Sequence, residues 1–215
     1  MKESKLREDI CSMAKSLFDR GLTCGSSGNI SARTEDGGLL VTPTGSSMGF
    51  LDPAQLSRFD DKGQLIGGLN PTKEMPLHTA FYETRSTAGA IVHLHSSHSV
   101  ALSMMPDADE DNFIPPLTPY SIMKLGKVKL LPYFVPGDPK IGDAIRGLAG
   151  KRSAVMLAHH GPVVAAKDVA AGVYAIEELE ETAKLAMLLR GADPNMLDET
   201  QVQHLVKKFD IQWDD

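Results

Sequence analysis

The chain has 215 residues, 42% of them hydrophobic and 23% charged, which is ordinary for a globular protein and long enough for one large domain. Its net charge of −6 argues against the clustered basic surface that nucleic-acid binding requires. Two cysteines are too few for a disulfide framework, and no apolar run is long enough to span a membrane. Because the first residues also lack the apolar segment of a signal peptide, we expect a single domain over residues 1–215, located in a reducing cytoplasm without a membrane or nucleic-acid partner.

The first predicted elements are an amphipathic helix and two turns rich in small residues. Apolar residues recur at helical spacing from Leu6 to Phe18, and Gly21 predicts the end of the helix. Residues 23–31 are rich in glycine and serine, and a strand over residues 38–42 leads to a similar turn at residues 43–47. Small residues let the backbone approach a ligand closely, and N–H and hydroxyl groups can bind an anion. Taken alone, the first run is more simply a tight turn before a strand.

A third candidate anion-binding loop spans residues 70–76 and follows a hairpin that Asp60 to Gly63 predict. This loop opens a short predicted helix with Pro76 in its first turn. Amides at the start of a helix favour an anion, and Lys73 would add a full positive charge. Glu74, taken alone, is explained as a favourable acid near the start of a helix.

The most informative motif is His93-Leu94-His95, at the end of the apolar run that begins at Gly89. The run predicts a strand, whose side chains alternate between its two faces, so both imidazoles are expected on the same side. Two imidazoles on a rigid strand form half of a site for a borderline ion such as Zn²⁺. A pair of hydrogen-bonded histidines at the end of a core strand is the alternative, so the remaining ligands decide between the two.

The second half of the chain supplies one further candidate ligand. Residues 153–164 predict a buried strand broken by His159, His160 and Gly161. Adjacent residues of a strand face opposite ways, so at most one histidine of this pair should join His93 and His95. The other predicted elements are a strand at 127–131, a helix from about Ile141 to Leu148, a long helix from Asp168 to about Arg190 and a final amphipathic helix at 202–209. The acidic residues 177–181 of the long helix predict a solvated face or a subunit contact.

Glu74, His93, His95 and one histidine of the 159–160 pair form a candidate metal-binding set. Three neutral imidazoles with a carboxylate or a water suit Zn²⁺, and an exchangeable fourth position is what a catalytic site needs. The three candidate anion loops all precede the histidines in the chain. A divalent metal beside a phosphate pocket indicates chemistry on a phosphorylated sugar or sugar acid.

Together these motifs resemble those of the class II aldolase and adducin head-domain family, from the first helix to about Arg190. The motifs that carry the resemblance are Ser27-Gly28-Asn29-Ile30-Ser31, Pro43-Thr44-Gly45, Thr72-Lys73-Glu74 followed by His78, His93-Leu94-His95, and His160-Gly161. The resemblance implies a single-domain α/β fold with a central, mostly antiparallel β-sheet flanked by helices on both faces. It also implies a homotetramer with active sites at the subunit interfaces.

The resemblance implies a role for each matching residue. Zn²⁺, or another divalent metal, would be bound by His93, His95 and the histidine before glycine, which selects His160. Glu74 would be both a metal ligand and the acid/base group, a role that requires a pKa nearer neutrality than that of free glutamate. Tyr120 resembles a tyrosine that donates a proton in a neighbouring subunit's site, although an amphipathic residue at the rim is an equal alternative. His78 is expected to form hydrogen bonds rather than to bind the metal. The phosphate-binding residues would be Asn29, Thr44, Gly45, Thr72 and Lys73.

Within the family, Lys73 before Glu74 and the run from Pro132 to Asp138 resemble the 3-oxo-tetronate 4-phosphate decarboxylases. Fuculose-phosphate-type aldolases usually carry Ser-Ser-Glu at residues 72–74, and the related epimerases carry Asp at position 74. The implied reaction is zinc-dependent decarboxylation of a 3-oxo-tetronate 4-phosphate to dihydroxyacetone phosphate and CO₂ through a metal-stabilised enediolate. An L-fuculose-phosphate-type aldolase is the alternative enzyme, because it forms the same enediolate by releasing an aldehyde. A metal-free interaction module like the adducin head is the non-enzyme alternative, and retention of the four candidate ligands counts against it.

Overall fold

The computed structural model describes residues 2–213, so Met1, Asp214 and Asp215 of the predicted domain 1–215 lie outside the described residues. Within this part of the chain, eight strands form one sheet in the order β4-β3-β2-β1-β5-β8-β7-β6. The strands are β1 Asn29–Arg33, β2 Leu39–Val41, β3 Ser57–Phe59, β4 Leu65–Gly67, β5 Ala90–His93, β6 Lys129–Leu131, β7 Ala154–Leu157 and β8 Gly161–Ala166. Neighbouring strands are antiparallel except for β6 and β7, which are parallel.

Seven α-helices occur between residues 2 and 213. They are α1 Glu3–Asp19, α2 Met75–Thr84, α3 Ser97–Ser103, α4 Pro119–Leu125, α5 Lys140–Gly147, α6 Val169–Leu188 and α7 Glu199–Phe209. Helices α1, α3 and α6 contribute to one apolar core, whereas α2 and α5 contribute to the other. The implied fold, a mostly antiparallel sheet with helices on both faces, is confirmed. Over the same described residues, no helix combines the length and apolar composition needed to cross a bilayer.

The central strand β5 separates the two cores and thereby determines on which face of the sheet His93 lies. Ala90 and Val92 pack into the core of α1 and α6, whereas Ile91 packs into the core of α2 and α5. This alternation follows from the period of two in a strand. His93 continues the alternation on the side of Ile91, so its imidazole faces the start of α2.

The histidine pair lies in a turn between two strands, so the predicted buried strand over 153–164, broken at the histidine pair, is corrected to an antiparallel hairpin. Strand β7 ends at Leu157, and β8 begins at Gly161 and runs back antiparallel to β7. His159 adopts a left-handed conformation with φ of 60°, which reverses the chain direction and leaves His159 exposed and His160 buried. Gly161 is required after this turn, because a Cβ there would lie 1.9 Å from the carbonyl oxygen of Leu94.

One acidic residue of α6 is buried, contrary to the predicted solvated face. Glu180 is 7% exposed, and its carboxylate accepts hydrogen bonds from the backbone N–H groups of His98 and Ser99, both at 2.9 Å. The Ser99 hydroxyl donates to the same carboxylate at 2.6 Å. These amides belong to the first turn of α3, where free N–H groups and the helix dipole favour a negative charge. Glu180 therefore joins α6 to the start of α3.

Replacing Phe81 by alanine is expected to lower the free energy of unfolding by about 3–5 kcal/mol, because the truncated side chain leaves a cavity in the core. Phe81 is 1% exposed and packs between α2 and the sheet. Denaturant unfolding of both proteins measures the difference. Phe50→Ala is the control, since that ring is 83% exposed and forms an edge-to-face pair with Phe18, so its loss should cost at most about 1.5 kcal/mol. Equal losses for the two variants would contradict the assigned core.

Candidate metal centre

Four side chains from distant parts of the sequence converge on one point. They are Glu74, His93, His95 and His160, and one ligand atom from each lies within 4.8 Å of the other three. The Nε2 atom of His95 is 3.1 Å from Nε2 of both His93 and His160. Bonds of about 2.0–2.1 Å to a tetrahedral Zn²⁺ place neighbouring ligand atoms about 3.4 Å apart. The group therefore has the dimensions of a four-ligand site.

The fold brings these side chains together through adjacent strands and one helix start. His93 is the last residue of β5 and pairs with Val163 of the neighbouring β8. His160 precedes β8 in the hairpin turn, and His95 lies two residues beyond His93. Glu74 stands immediately before α2 as its N-cap residue. The four ligands are thus attached to the rigid centre of the sheet and to one helix.

The hydrogen bonding of His93 directs a free lone pair towards the other ligands. Its Nδ1 atom lies 2.9 Å from the carbonyl oxygen of Pro162, which can only accept a hydrogen bond. Nδ1 therefore carries the proton, and Nε2 of the neutral ring has its lone pair available. Metal-binding histidines commonly donate their second N–H to a carbonyl or carboxylate in this way. His93 thus has the tautomer that a metal requires.

Glu74 presents a buried oxygen that lacks a hydrogen-bond donor. Among the described residues, no group with suitable geometry donates to Oε1, although Nε2 of His160 is 3.1 Å away. Oε2 lies 3.3 Å from Nε2 of His93. A buried carboxylate oxygen without a donor is costly, and a divalent cation would satisfy it. The residues present therefore fit a metal ion.

The charges of the group favour the protonation states that metal binding needs. Burial by itself raises the pKa of Glu74, but interactions with the neighbouring imidazoles of His93 and His160 outweigh burial and hold the pKa below its usual range. Burial and the proximity of the same two imidazoles lower the pKa of His95 to about 3. An ionised carboxylate and a neutral imidazole are the forms that coordinate metals. The near-neutral pKa expected for Glu74 is not found, because interactions with the neighbouring imidazoles of His93 and His160 stabilise the carboxylate.

A cavity of about 280 Å³ adjoins the metal-binding group. It is close to the lower size limit of small-molecule pockets. The lining residues are Ser26, Ser27, Gly28, Asn29, Pro43, Thr44, Gly45, Thr72, Lys73, Glu74, His95, Pro136 and His160. The loops after β2 and before α2 meet there through a bridge between Pro43 and Pro71. All five predicted phosphate-binding residues therefore lie at one cavity beside the candidate ligands.

A buried set of polar side chains lies behind Glu74, and it confirms the hydrogen bonding expected of His78 but involves partners that were not predicted. The Asn29 amide donates to Oε2 of Glu74 at 2.8 Å, and Nε2 of His78 lies 2.6 Å from the amide oxygen. Ser31 and Tyr82 continue the contacts beyond His78. The pattern was present in the sequence, since residues 29 and 31 share one face of a strand and residues 78 and 82 are one helical turn apart.

Tyr120 is not brought to the metal-binding group within this chain. It lies in the first turn of α4 with 59% of its surface exposed. It is absent from the described residues that line the cavity. Because its expected role is in a neighbouring subunit's site, that role stays a prediction.

Comparisons with known proteins agree with this geometry. The family model for the class II aldolase and adducin N-terminal domain matches residues 8–187. The chain is 46% identical over 188 residues to a Cupriavidus necator protein named 3-oxo-tetronate 4-phosphate decarboxylase, covering 87% of this chain and 86% of the relative. It is 33% identical to an L-fuculose phosphate aldolase of Methanocaldococcus jannaschii, covering 85% and 96% of the two chains. The crystal structure of YgbL from Klebsiella pneumoniae superposes with a TM-score of 0.92 at 42% identity, covering 95% and 99%. The chain therefore belongs to the class II aldolase and adducin N-terminal domain family.

Proposed function

We propose that this protein is a carbon–carbon lyase that decarboxylates a 3-oxo-tetronate 4-phosphate to dihydroxyacetone phosphate and CO₂ with the help of a divalent metal. The observation that carries the proposal is the convergence of Glu74, His93, His95 and His160 beside the cavity with the predicted phosphate-binding residues. The similarity to a relative named for this activity favours it over the other reactions of the family. The four converging candidate ligands count against a metal-free interaction module, because binding to a partner protein does not require them.

The reaction is chemically consistent with such a site. In the substrate, the carboxylate is attached to carbon 2, which bears a hydroxyl and is bonded to the ketone carbon. Cleavage between carbons 1 and 2 releases CO₂, and the electron pair of that bond is delocalised onto the ketone oxygen. Addition of one proton at carbon 2 then gives dihydroxyacetone phosphate. The site must therefore stabilise negative charge on oxygen and supply one proton.

The candidate ligands and Glu74 match these two requirements. A divalent metal held by His93, His95, His160 and the Glu74 carboxylate would supply Lewis-acid stabilisation of the developing negative charge. Glu74 is the acidic side chain among the described residues that line the cavity, so we assign to it the transfer of the proton at carbon 2. Because its carboxylate is ionised before the reaction, it first takes up from solvent water the one proton that the reaction consumes and then delivers that proton to carbon 2. General acid catalysis of this kind contributes roughly 10²–10⁴-fold to a rate.

Other residues that line the cavity are suited to the phosphate group. Lys73 provides a positive charge there, and Thr44 and Thr72 provide hydroxyl groups. Gly45 has φ of 70°, a conformation that glycine adopts without strain, and it leaves space for a ligand because a Cβ would contact nothing within 4 Å. We therefore assign the phosphate to Thr44, Gly45, Thr72, Lys73 and the Asn29 segment.

The test is to supply the 3-oxo-tetronate 4-phosphate and to measure CO₂ and dihydroxyacetone phosphate in the same sample. We expect the two products in equal amounts, loss of the reaction after chelation, and its recovery after Zn²⁺ is added. Cleavage of L-fuculose 1-phosphate without release of CO₂ would assign the aldolase reaction instead. Protein that binds no divalent metal and produces neither product would favour the interaction module.

We also propose Zn²⁺ as the metal, a cytoplasmic location, and a homotetramer in which Tyr120 contributes to a neighbouring subunit's site. The support for Zn²⁺ is the ligand set of three imidazoles and a carboxylate. The support for the assembly is the family membership and the exposure of Tyr120 at the start of α4. Metal analysis tests the identity of the metal, and analytical ultracentrifugation tests the homotetramer.

A further inference from the structure

We propose that a buried, one-directional chain of hydrogen bonds from Tyr82 to Asn29 positions the Glu74 carboxylate, with His78 as the central positioning residue. The inference rests on the proposed function, in which Glu74 transfers the proton. It adds a role for His78, Ser31 and Tyr82, which are not among the described residues that line the cavity. It also adds a second role for Asn29, which is one of the lining residues.

The chain of contacts is continuous and shielded from solvent. Oε2 of Glu74 is 2.8 Å from Nδ2 of Asn29, whose Oδ1 is 2.6 Å from Nε2 of His78. Nδ1 of His78 is 2.7 Å from the Ser31 hydroxyl, which is 2.9 Å from the Tyr82 hydroxyl. His78 and Ser31 are fully buried, and Asn29 and Tyr82 are nearly so. Strand β1 holds Asn29 and Ser31 at fixed positions, and helix α2 does the same for His78 and Tyr82.

The donor of every bond follows from the carboxylate at one end. The ionised carboxylate of Glu74 can only accept, so the Asn29 amide nitrogen donates to it and the Asn29 oxygen must accept from His78. Nε2 of His78 therefore carries a proton. Burial lowers the pKa of His78 to about 3, so the ring is neutral near pH 7 and its Nδ1 accepts. Consequently Ser31 donates to His78, and Tyr82 donates to Ser31.

This polarity fixes the orientation of the Asn29 amide. A rotated amide would place its oxygen against the Glu74 carboxylate and its nitrogen against the Nε2–H group of His78, so both contacts would be repulsive. In the observed orientation, the Asn29 amide donates to Oε2 of Glu74. Oε1, which lacks a donor among the described residues, then lies near His160. His78 thus acts on Glu74 through Asn29, without touching substrate.

The first test compares His78→Leu, which removes the donor, with His78→Gln, whose amide N–H can still reach the Asn29 oxygen. We expect His78→Leu to lower kcat about 10–100-fold, the usual range for residues that orient site groups, with KM and bound metal unchanged. His78→Gln should restore most of kcat. Equal loss in both variants, or a change confined to KM, would overturn the proposal.

Ser31→Ala provides a second variant if His78→Leu does not fold. It removes the hydroxyl that donates to Nδ1 of His78, so kcat is expected to fall in the same direction while thermal stability stays sufficient for assay. An unchanged kcat in Ser31→Ala would contradict the directional chain. Tyr82→Phe removes only the hydroxyl that is farthest from Glu74 in this series of hydrogen bonds, so its effect on kcat should be smaller than that of Ser31→Ala.

The decisive measurement does not depend on the substrate. In Zn²⁺-loaded protein with ¹⁵N-labelled histidine, the signals of His78 are identified by their disappearance in His78→Gln. We expect ring ¹⁵N shifts of the neutral tautomer with the proton on Nε2, whereas a proton on Nδ1 would overturn the chain. If the wild-type protein released no CO₂, the proposed function would fail, but the tautomer of His78 would still decide the direction of these bonds.

Discussion

Replacing His160 by alanine is expected to abolish stable metal binding and to reduce decarboxylation by about 10³-fold or more. The side chain is buried, and its Nε2 lies 3.1 Å from both Nε2 of His95 and Oε1 of Glu74. Its loss leaves two imidazoles and the Glu74 carboxylate, which is also the group assigned to proton transfer. Only two imidazoles would then hold the metal throughout the reaction, fewer than the three protein ligands of catalytic zinc sites. Lewis-acid stabilisation is worth several kcal/mol, and each 1.36 kcal/mol corresponds to a factor of about ten in rate. Metal content per chain and kcat are measured together.

His159→Asn is the matched control for this experiment. His159 is the adjacent residue, but it is exposed and adopts the left-handed conformation, which asparagine tolerates better than most residues. We expect this variant to keep its metal and its kcat within a few-fold of the wild type. Loss of metal in His159→Asn with retention in His160→Ala would show that the wrong histidine of the pair has been assigned.

Replacing Glu74 by glutamine is expected to lower kcat by about 10²–10⁴-fold while most of the bound metal is retained. Glutamine keeps the shape of the side chain and can accept a hydrogen bond from Asn29, but it cannot transfer a proton. His93, His95 and His160 remain as ligands, so the metal should still bind when it is supplied in excess. Single-turnover assays of the metal-saturated variant separate the chemical step from metal loss.

Glu83→Gln is the control, because Glu83 lies on the same helix α2 but is about half-exposed and pairs with Arg146. This exchange should leave kcat and metal content unchanged. If Glu74→Gln lost activity only in proportion to its loss of metal, Glu74 would be a ligand without a role in proton transfer. If it kept full kcat, another group would have to supply the proton.

The fold was predictable from the sequence where local patterns are strong. The apolar spacing from Leu6 to Phe18 identified α1, and Asp168 identified the start of α6, where its side chain accepts from the amide of Ala171. The antiparallel order of the sheet came from the family resemblance and not from periodicity. The histidine pair was misplaced because a short apolar run with a central glycine does not distinguish one strand from a tight hairpin.

Only part of the candidate ligand set was predictable from local patterns, because the choice of His160 and the metal-binding role of Glu74 came from the family resemblance. The His-x-His spacing placed His93 and His95 on one side of the chain, although β5 ends at His93 and His95 lies just beyond it. Burial of Glu180 could not be predicted, since it depends on contact between α6 and the start of α3. The bonds from Tyr82 to Asn29 depend in the same way on how β1 and α2 pack together.

One divalent metal is expected to bind where Glu74, His93, His95 and His160 meet. Anomalous X-ray diffraction, measured on both sides of the zinc absorption edge from crystals of protein loaded with Zn²⁺, would locate it. We predict one strong anomalous peak per chain, at about 2.0–2.2 Å from a nitrogen of each histidine and, before substrate binds, from an oxygen of Glu74. A peak bound by other residues, or no peak in fully active protein, would contradict this expectation.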